Sequence, residues 1–177
     1  MNALVAAVAT VVIHGWPYAS IDEAAKNGLI DAADCSRNTR ECGGAIYKVD
    51  GREIYLYSGP YTSDRPFSLD IPELADPAPE GLTRVADYHV HICNKHNSGL
   101  APFFSFGDVQ TNDGFHTIGY MLEMCNGNIH RYAPGVDDRD DEEIDFESGR
   151  KLFLTIGHIV GWVDIRRYLR CDQTLCK

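Results

Sequence analysis

Positive charge is scarce in this 177-residue chain. Lysine and arginine together number 16 against 26 for aspartate and glutamate, and the formal net charge is −10. A general nucleic-acid-binding protein needs a basic face to neutralise phosphates, so this composition argues against that class. Basic protein substrates or partners remain compatible with it. The hydrophobic fraction of 44% is ordinary, and the length suits a single domain with its own core.

Long apolar runs are absent as well. The apolar stretch at residues 3–13 is too short to span a bilayer, and we expect no membrane span. Its length matches the core of a signal peptide, but it lacks a basic n-region and a clear small-x-small cleavage site. Residues 1–19 therefore read as a signal peptide, as a structural strand or helix, or as the cut end of a longer chain.

None of the six cysteines has the C-x-x-C spacing of a structural zinc knuckle or a thioredoxin-like site. The motifs H-x-E and P-C-x-x-C of zinc deaminases do not occur either. Two pairs are close enough in sequence to form bridges, and a third pair ends two candidate neighbouring strands. These pairs are Cys35 with Cys42, Cys171 with Cys176, and Cys93 with Cys125. Disulfides formed in an oxidising compartment and buried free thiols both remain open.

Two histidines two residues apart form the strongest metal-binding signal. His89 and His91 lie in an apolar run that predicts a strand over about residues 84–93. Side chains alternate between the faces of a strand, so the two imidazoles point the same way, roughly 6–7 Å apart along it. Both can then reach one ion, although an H-x-H pair by itself is more often an ordinary feature of a strand.

The third candidate ligand is a carboxylate in the first turn of a predicted helix. Ser105-Phe106-Gly107-Asp108 has the S-x-x-D form of a helix start, with Ser105 as the N-cap. The helix dipole and the free amides of the first turn favour a carboxylate there. A helix beginning after the loop that follows the histidine strand can aim Asp108 back at the imidazoles. Three such ligands leave the fourth position of a catalytic zinc site open for water.

Glu41 stands before Gly43-Gly44, at the edge of a predicted strand. Paired glycines let another backbone approach closely. A carboxylate that lies beside a metal-bound water without binding the metal can accept the proton of that water and pass it to a leaving amine. The alternative for Glu41 is a solvated carboxylate at a strand end.

Glu41, then H-x-H, then S-x-x-D resembles the ordered signature of the JAMM (JAB/MPN) zinc metalloprotease family. Residues 41–51 and the helix start at 21–25 resemble its bacterial JAB-like branch of uncharacterised domains, often found at the C-terminal ends of Rhs-type and other polymorphic toxin proteins. The resemblance covers about residues 20–134, which leaves 135–177 as a C-terminal extension of a single domain, 1–177. Residues 92–104, between the histidines and Ser105, form a longer spacer than in the best-known deubiquitinating members.

The resemblance implies a site and an activity. Zn²⁺ would be bound by His89, His91 and Asp108, with Glu41 as general base and Ser105 steadying the oxyanion. It implies a zinc-dependent metallopeptidase or isopeptidase acting on a protein or peptide substrate. It also implies a bacterial toxin or effector domain, secreted or delivered, that acts in a periplasm or a target-cell cytoplasm and is neutralised by a cognate immunity protein.

Two other functions remain open. One is a catalytically inactive MPN-like module that binds protein. The other is a metal-dependent nuclease toxin, suggested by the cluster His89, His91, Cys93, His96 and Asn97. The dense acidic run at 137–143 reads as a solvated loop, or as a dock for a basic partner such as an immunity protein or chaperone.

Capping and turn signals predict the order helix, hairpin, strand, short helix, hairpin, helix, and an α+β fold with a mixed sheet flanked by helices. The resemblance refines this to a JAMM/MPN-like (cytidine-deaminase-like) architecture. The predicted segments are a helix from Ser20 to about Ala33, strands at 45–49 and 53–57 around Asp50-Gly51, a long surface loop at 59–80, a helix from Ser105 to about Asn112, strands at 117–125 and 128–132 around Asn126-Gly127, and a C-terminal helix from about Gly157.

Overall fold

A computed structural model describes residues 13–63, 69, 71, 77–93, 103–136, 141–144, 151–154 and 157–168. These residues form ten strands, two α-helices and one short 3-10 helix. In chain order they are β1 (Ile13–Tyr18), α1 (Ile21–Ser36), β2 (Cys42–Val49), β3 (Tyr55–Ser58), β4 (Tyr61–Thr62), β5 (Leu82–His91), α2 (Phe106–Phe115), β6 (Ile118–Glu123), β7 (Asn128–Tyr132), β8 (Asp141–Ile144), β9 (Lys151–Leu154), β10 (His158–Trp162) and the 3-10 helix Ile165–Arg167.

One mixed sheet organises the chain. Its strand order is β1-β3-β2-β5-β6-β7-β10, with β4 paired to the start of β2, while β8 and β9 form a separate two-stranded sheet. The pair β5–β6 is parallel, and the other pairs are antiparallel. The connection between the parallel strands contains α2, as a crossover between parallel strands requires. The predicted α+β class with a mixed sheet and helices is confirmed.

Helix α1 covers one face of the sheet. The Ser20 side chain caps it by accepting a hydrogen bond from the amide of Glu23, which confirms the predicted helix start. Its buried face includes Ala24, Ala25 and Leu29, all fully inaccessible to solvent. Small alanines bring the helix axis close to the strands, and this face belongs to the larger apolar core. The helix ends at Ser36, three residues beyond the predicted end.

Two hairpins form at the predicted turn signals, with connecting loops at residues 50–54 and 124–127. Asp50-Gly51 separates β2 from β3, and these strands pair antiparallel. Asn126-Gly127 separates β6 from β7, which also pair antiparallel. Gly51 and Gly127 have φ values of +70° and +86°, a conformation that side chains rarely adopt. The two glycines therefore permit the backbone conformation that these turns require.

The glycine pair at the start of β2 permits the close backbone approach that the sequence predicts. A Cβ on Gly43 would lie 2.1 Å from the carbonyl oxygen of Tyr88, and one on Gly44 would lie 1.9 Å from that of Ser58. Gly43→Ala is expected to lower the free energy of unfolding by at least about 1–3 kcal/mol, because neighbouring strands must separate. Chemical denaturation measures the change.

The matched control for this substitution is Gly114→Ala in α2. A Cβ at Gly114 meets no atom within 4 Å, and alanine is the better helix former. We expect this variant to be as stable as the wild type or slightly more stable. Equal stability of the two variants would contradict the close packing at Gly43.

The predicted C-terminal helix is wrong, and the predicted loops at 137–143 and 59–80 each contain residues of a strand. The region from Gly157 is not a helix, because His158–Trp162 pairs with β7 as the sheet edge, and only a 3-10 turn follows. Ile159 and Val160 suit an extended backbone, and Gly157 has a φ of +63°. The acidic run is not all loop, since residues 141–143 belong to β8; residues 137–140 lie outside the described part. The segment 59–80 contributes the strand β4.

Two disulfides tie the ends of the central strands. Cys35–Cys42 links the end of α1 to the start of β2, and Cys93–Cys125 links the segments that follow β5 and β6. Buried Asn38 joins these regions, because its side chain both accepts from the amide of Cys93 and donates to the Cys93 carbonyl, at 2.6 and 2.7 Å. The choice between bridges and free thiols is thus resolved for four cysteines. Cys171 and Cys176 lie outside the described residues, as do residues 1–12.

Candidate metal centre

Strand β5 places three polar side chains on one face of the sheet. Asp87, His89 and His91 alternate with Tyr88 and Val90, which are fully buried in the larger core on the opposite face. The predicted alternation around the histidines is therefore confirmed. Residues 86–90 of this strand are buried and His91 is half-buried, which leaves these polar side chains little freedom to turn toward water.

Helix α2 supplies the carboxylate. Ser105 is its N-cap, and a complete capping box joins Ser105 to Asp108. The Ser105 side chain accepts from the Asp108 amide at 3.3 Å, while the Asp108 carboxylate accepts from the Ser105 amide at 2.7 Å. The predicted helix start is confirmed, and the helix runs three residues past Asn112. The capping box therefore fixes the position of Asp108 independently of any bound metal.

The three predicted ligands converge. His89 Nε2 lies 3.0 Å from His91 Nε2 and 3.5 Å from Asp108 Oδ1, and His91 Nε2 lies 3.4 Å from Asp108 Oδ2. A tetrahedral zinc ion with bonds of about 2.0–2.1 Å places neighbouring ligand atoms roughly 3.3–3.4 Å apart. Each of these closest separations is within a few tenths of an ångström of that spacing, and the two histidines lie nearest to different oxygens of the Asp108 carboxylate. These residues form a partly buried group that could hold a metal ion.

The surroundings of this trio favour a bound positive charge. Burial by itself lowers the pKa of His89, but nearby carboxylates, Asp108 first among them, raise it to about 9. Burial raises the pKa of Asp108, yet His89 and His91 outweigh that effect and hold the pKa well below its usual range. A proton or a cation between these groups is thus stabilised. The ring of fully buried Phe104 meets the His89 ring edge-on and closes one side of the site.

Glu41 belongs to the same electrostatic environment. Strands β2 and β5 pair Gly43 with His89, and Glu41 lies two residues before Gly43, so it is on the face of the histidines. Burial raises the pKa of Glu41, while His89 and His91 partly lower it. The half-buried position of its side chain contradicts a purely solvated carboxylate. Glu41 makes no ion pair with the trio among the described contacts.

Ser105 is exposed at the rim of the site. Its oxygen accepts the Asp108 amide, which leaves the hydroxyl hydrogen able to donate to another acceptor. The residue next to it, Phe106, is also exposed. The N-cap therefore places one donor beside Asp108 and facing solvent.

Sequence reasoning missed two buried pairs on this face. The side chain of Asn112 donates to Asp87, whose Oδ1 lies 4.0 Å from His89 Nδ1. His130 Nε2 lies 3.4 Å from Glu123 Oε2, and both side chains are almost fully buried. The strand alternation that predicts the orientation of His89 predicts the same face for Asp87, so this residue could have been identified from the sequence. The pairing of His130 with Glu123 depends on the β6–β7 register and carries no local signal.

Of the suggested nuclease cluster, the structure describes His89, His91 and Cys93. Cys93 is bonded to Cys125 and offers no thiolate to a metal. His96 and Asn97 lie outside the described residues, as does the rest of 94–102. The described part of the chain thus supports the His89, His91 and Asp108 set and gives the nuclease cluster no support.

No helix in the described ranges has the length and apolar character needed to cross a membrane. Comparison of the chain with protein-family models, curated proteins and solved structures finds no significant match. The functional proposal therefore rests on the geometry of the metal-binding residues.

Proposed function

We propose that this protein is a zinc-dependent metallopeptidase or isopeptidase of the JAMM type. The observation that carries the proposal is the shared location of four groups, in which Glu41 faces a converging set of two imidazoles and one carboxylate. Three ligands with an acid nearby are the arrangement that metal-assisted amide hydrolysis uses. A structural zinc site would instead supply four protein ligands and no base.

We propose zinc as the ion for this donor set. Two imidazole nitrogens and one carboxylate oxygen match the three-ligand sites of zinc hydrolases, and the spacing of the donor atoms suits tetrahedral bonds. Harder ions such as calcium or magnesium prefer sets made of oxygen alone. When bound, zinc would lower the pKa of a water ligand to near 7 and polarise the carbonyl of the substrate.

The chain supplies the remaining chemistry. Glu41 accepts the proton of the attacking water and returns it to the amine that leaves. Its raised pKa suits this role, because a carboxylate with a pKa closer to neutrality is a stronger base toward the water and holds the proton until the amine leaves. The Ser105 hydroxyl donates to the oxygen on which negative charge develops, and loss of one such donor elsewhere costs about 3–4 kcal/mol.

We further propose a bacterial toxin or effector that works outside the cytoplasm of its producer and has a cognate immunity protein. The disulfides Cys35–Cys42 and Cys93–Cys125 support this setting, because disulfides persist in oxidising compartments. The negative net charge suits a basic partner. Growth arrest on expression in bacteria would support this setting, and normal growth after both periplasmic and cytoplasmic expression would oppose it.

Metal removal tests the proposed activity. The purified chain is incubated with a pooled library of linear and lysine-branched peptides, and mass spectrometry follows the products. We expect amide cleavage that a chelator abolishes and stoichiometric zinc restores, because the reaction depends on the His89, His91 and Asp108 set. Zinc binding without cleavage would favour the inactive MPN-like binding module. Absence of zinc binding would refute the metal site itself.

A further inference from the structure

The face of the sheet that carries the candidate metal centre also holds a contact that the proposed chemistry does not use. Asp87 is 4% exposed, and its side chain accepts a hydrogen bond from Asn112, which is fully buried. Asp87 precedes His89 by two residues on β5, and Asn112 follows Asp108 by four on α2. Both spacings keep the residues on one face of their element. Strand β5 and helix α2 therefore contact each other at two places, once at the predicted ligands and once at the Asp87–Asn112 pair.

The two nitrogens of His89 face two different carboxylates. Nε2 lies 3.5 Å from Asp108 Oδ1, and Nδ1 lies 4.0 Å from Asp87 Oδ1. A carboxylate on the Nδ1 side favours the ring form that carries its hydrogen there, which leaves the Nε2 lone pair for a metal. Metal-bound histidines very commonly have such a partner on the other nitrogen.

The residue paired with Asp87 on the neighbouring strand leaves room for the contact between Asp87 and Asn112. Strands β5 and β6 pair Asp87 with Gly119, and a Cβ on Gly119 would lie 2.4 Å from Asn112 Oδ1. Any larger residue would push Asn112 and helix α2 away from the strand. The Asn112 side chain also lies 3.4 Å from the Thr117 hydroxyl, just after the helix end. Asn112 is thus confined from several sides.

We propose that Asp87 is a positioning residue of the metal site. It holds His89 with Nε2 directed at Asp108 and, through Asn112, keeps α2 and its Asp108 in place against β5. This inference rests on the proposed zinc site and assigns to it a residue outside the ligand set.

The test is Asp87→Asn, which keeps the shape and can still accept from Asn112. We expect zinc to bind 10–100-fold more weakly in a chelator competition, as for other partners of ligating histidines. Far-ultraviolet circular dichroism of the zinc-free variant should match that of the wild type, because the substitution keeps the volume of the side chain and its contact with Asn112. The control is Asp31→Asn, which alters a carboxylate that accepts from Tyr57 on the α1 side of the sheet, and zinc affinity should be unchanged.

A spectroscopic readout separates positioning from general packing. In nitrogen-15 NMR of the zinc-loaded wild type, His89 should be protonated at Nδ1 with a slowly exchanging ring N–H, and Asp87→Asn should speed that exchange. Coordination through Nδ1, or wild-type zinc affinity in Asp87→Asn, would overturn the inference while leaving the zinc site intact. If the wild-type chain binds no zinc, this inference and the proposed function both fail.

Discussion

Substitution of His89 by alanine is expected to reduce bound zinc from one ion per chain to a trace. The imidazole of His89 lies close to both other ligands, with its Nε2 at 3.0 Å from His91 and 3.5 Å from Asp108. Without it only two donors remain, fewer than the three that a catalytic zinc site uses. The loss of affinity should exceed the 10–100-fold effect of removing a partner of a ligand. Elemental analysis after dialysis measures the stoichiometry.

The matched control is His158→Ala, because His158 is an exposed histidine on the edge strand β10, outside the ligand set. That variant should retain one zinc ion per chain. Far-ultraviolet circular dichroism of both variants should resemble the wild type, so that metal loss is not a consequence of unfolding. Full zinc occupancy in a folded His89→Ala variant would show that the ion binds elsewhere.

The parts of the site that the sequence predicts are those fixed by local geometry. Alternation along β5 puts His89 and His91 on one face, and the capping box aims Asp108 from the first turn of α2. These signals act within a few residues, so they can be read without knowing the fold. The turns at Asp50-Gly51 and Asn126-Gly127 are predictable for the same reason.

The parts that the sequence does not predict depend on distant pairing. The Asp87–Asn112 contact requires α2 to lie beside β5, and the Glu123–His130 pair requires the β6–β7 register. The edge strand His158–Trp162 was predicted as a helix because its apolar residues lack a clear period, and its pairing with β7 decides the conformation. Tertiary partners override weak local preferences in each of these cases.

Substitution of Glu41 by glutamine is expected to leave zinc bound and to lower amide cleavage by about 10²–10⁴-fold, the usual range for loss of a general base. The amide keeps the size of the side chain but cannot accept the proton of the water. Glu41 is outside the ligand set, so zinc stoichiometry should stay at one per chain, and loss of a half-buried carboxylate should not weaken the fold.

The control is Glu80→Gln, an exposed change near the opposite end of β5, which should cleave at the wild-type rate. Rates are measured on the most rapidly cleaved peptide of the library. Wild-type cleavage by Glu41→Gln would remove Glu41 from the mechanism and leave His89, His91 and Asp108 in need of another base.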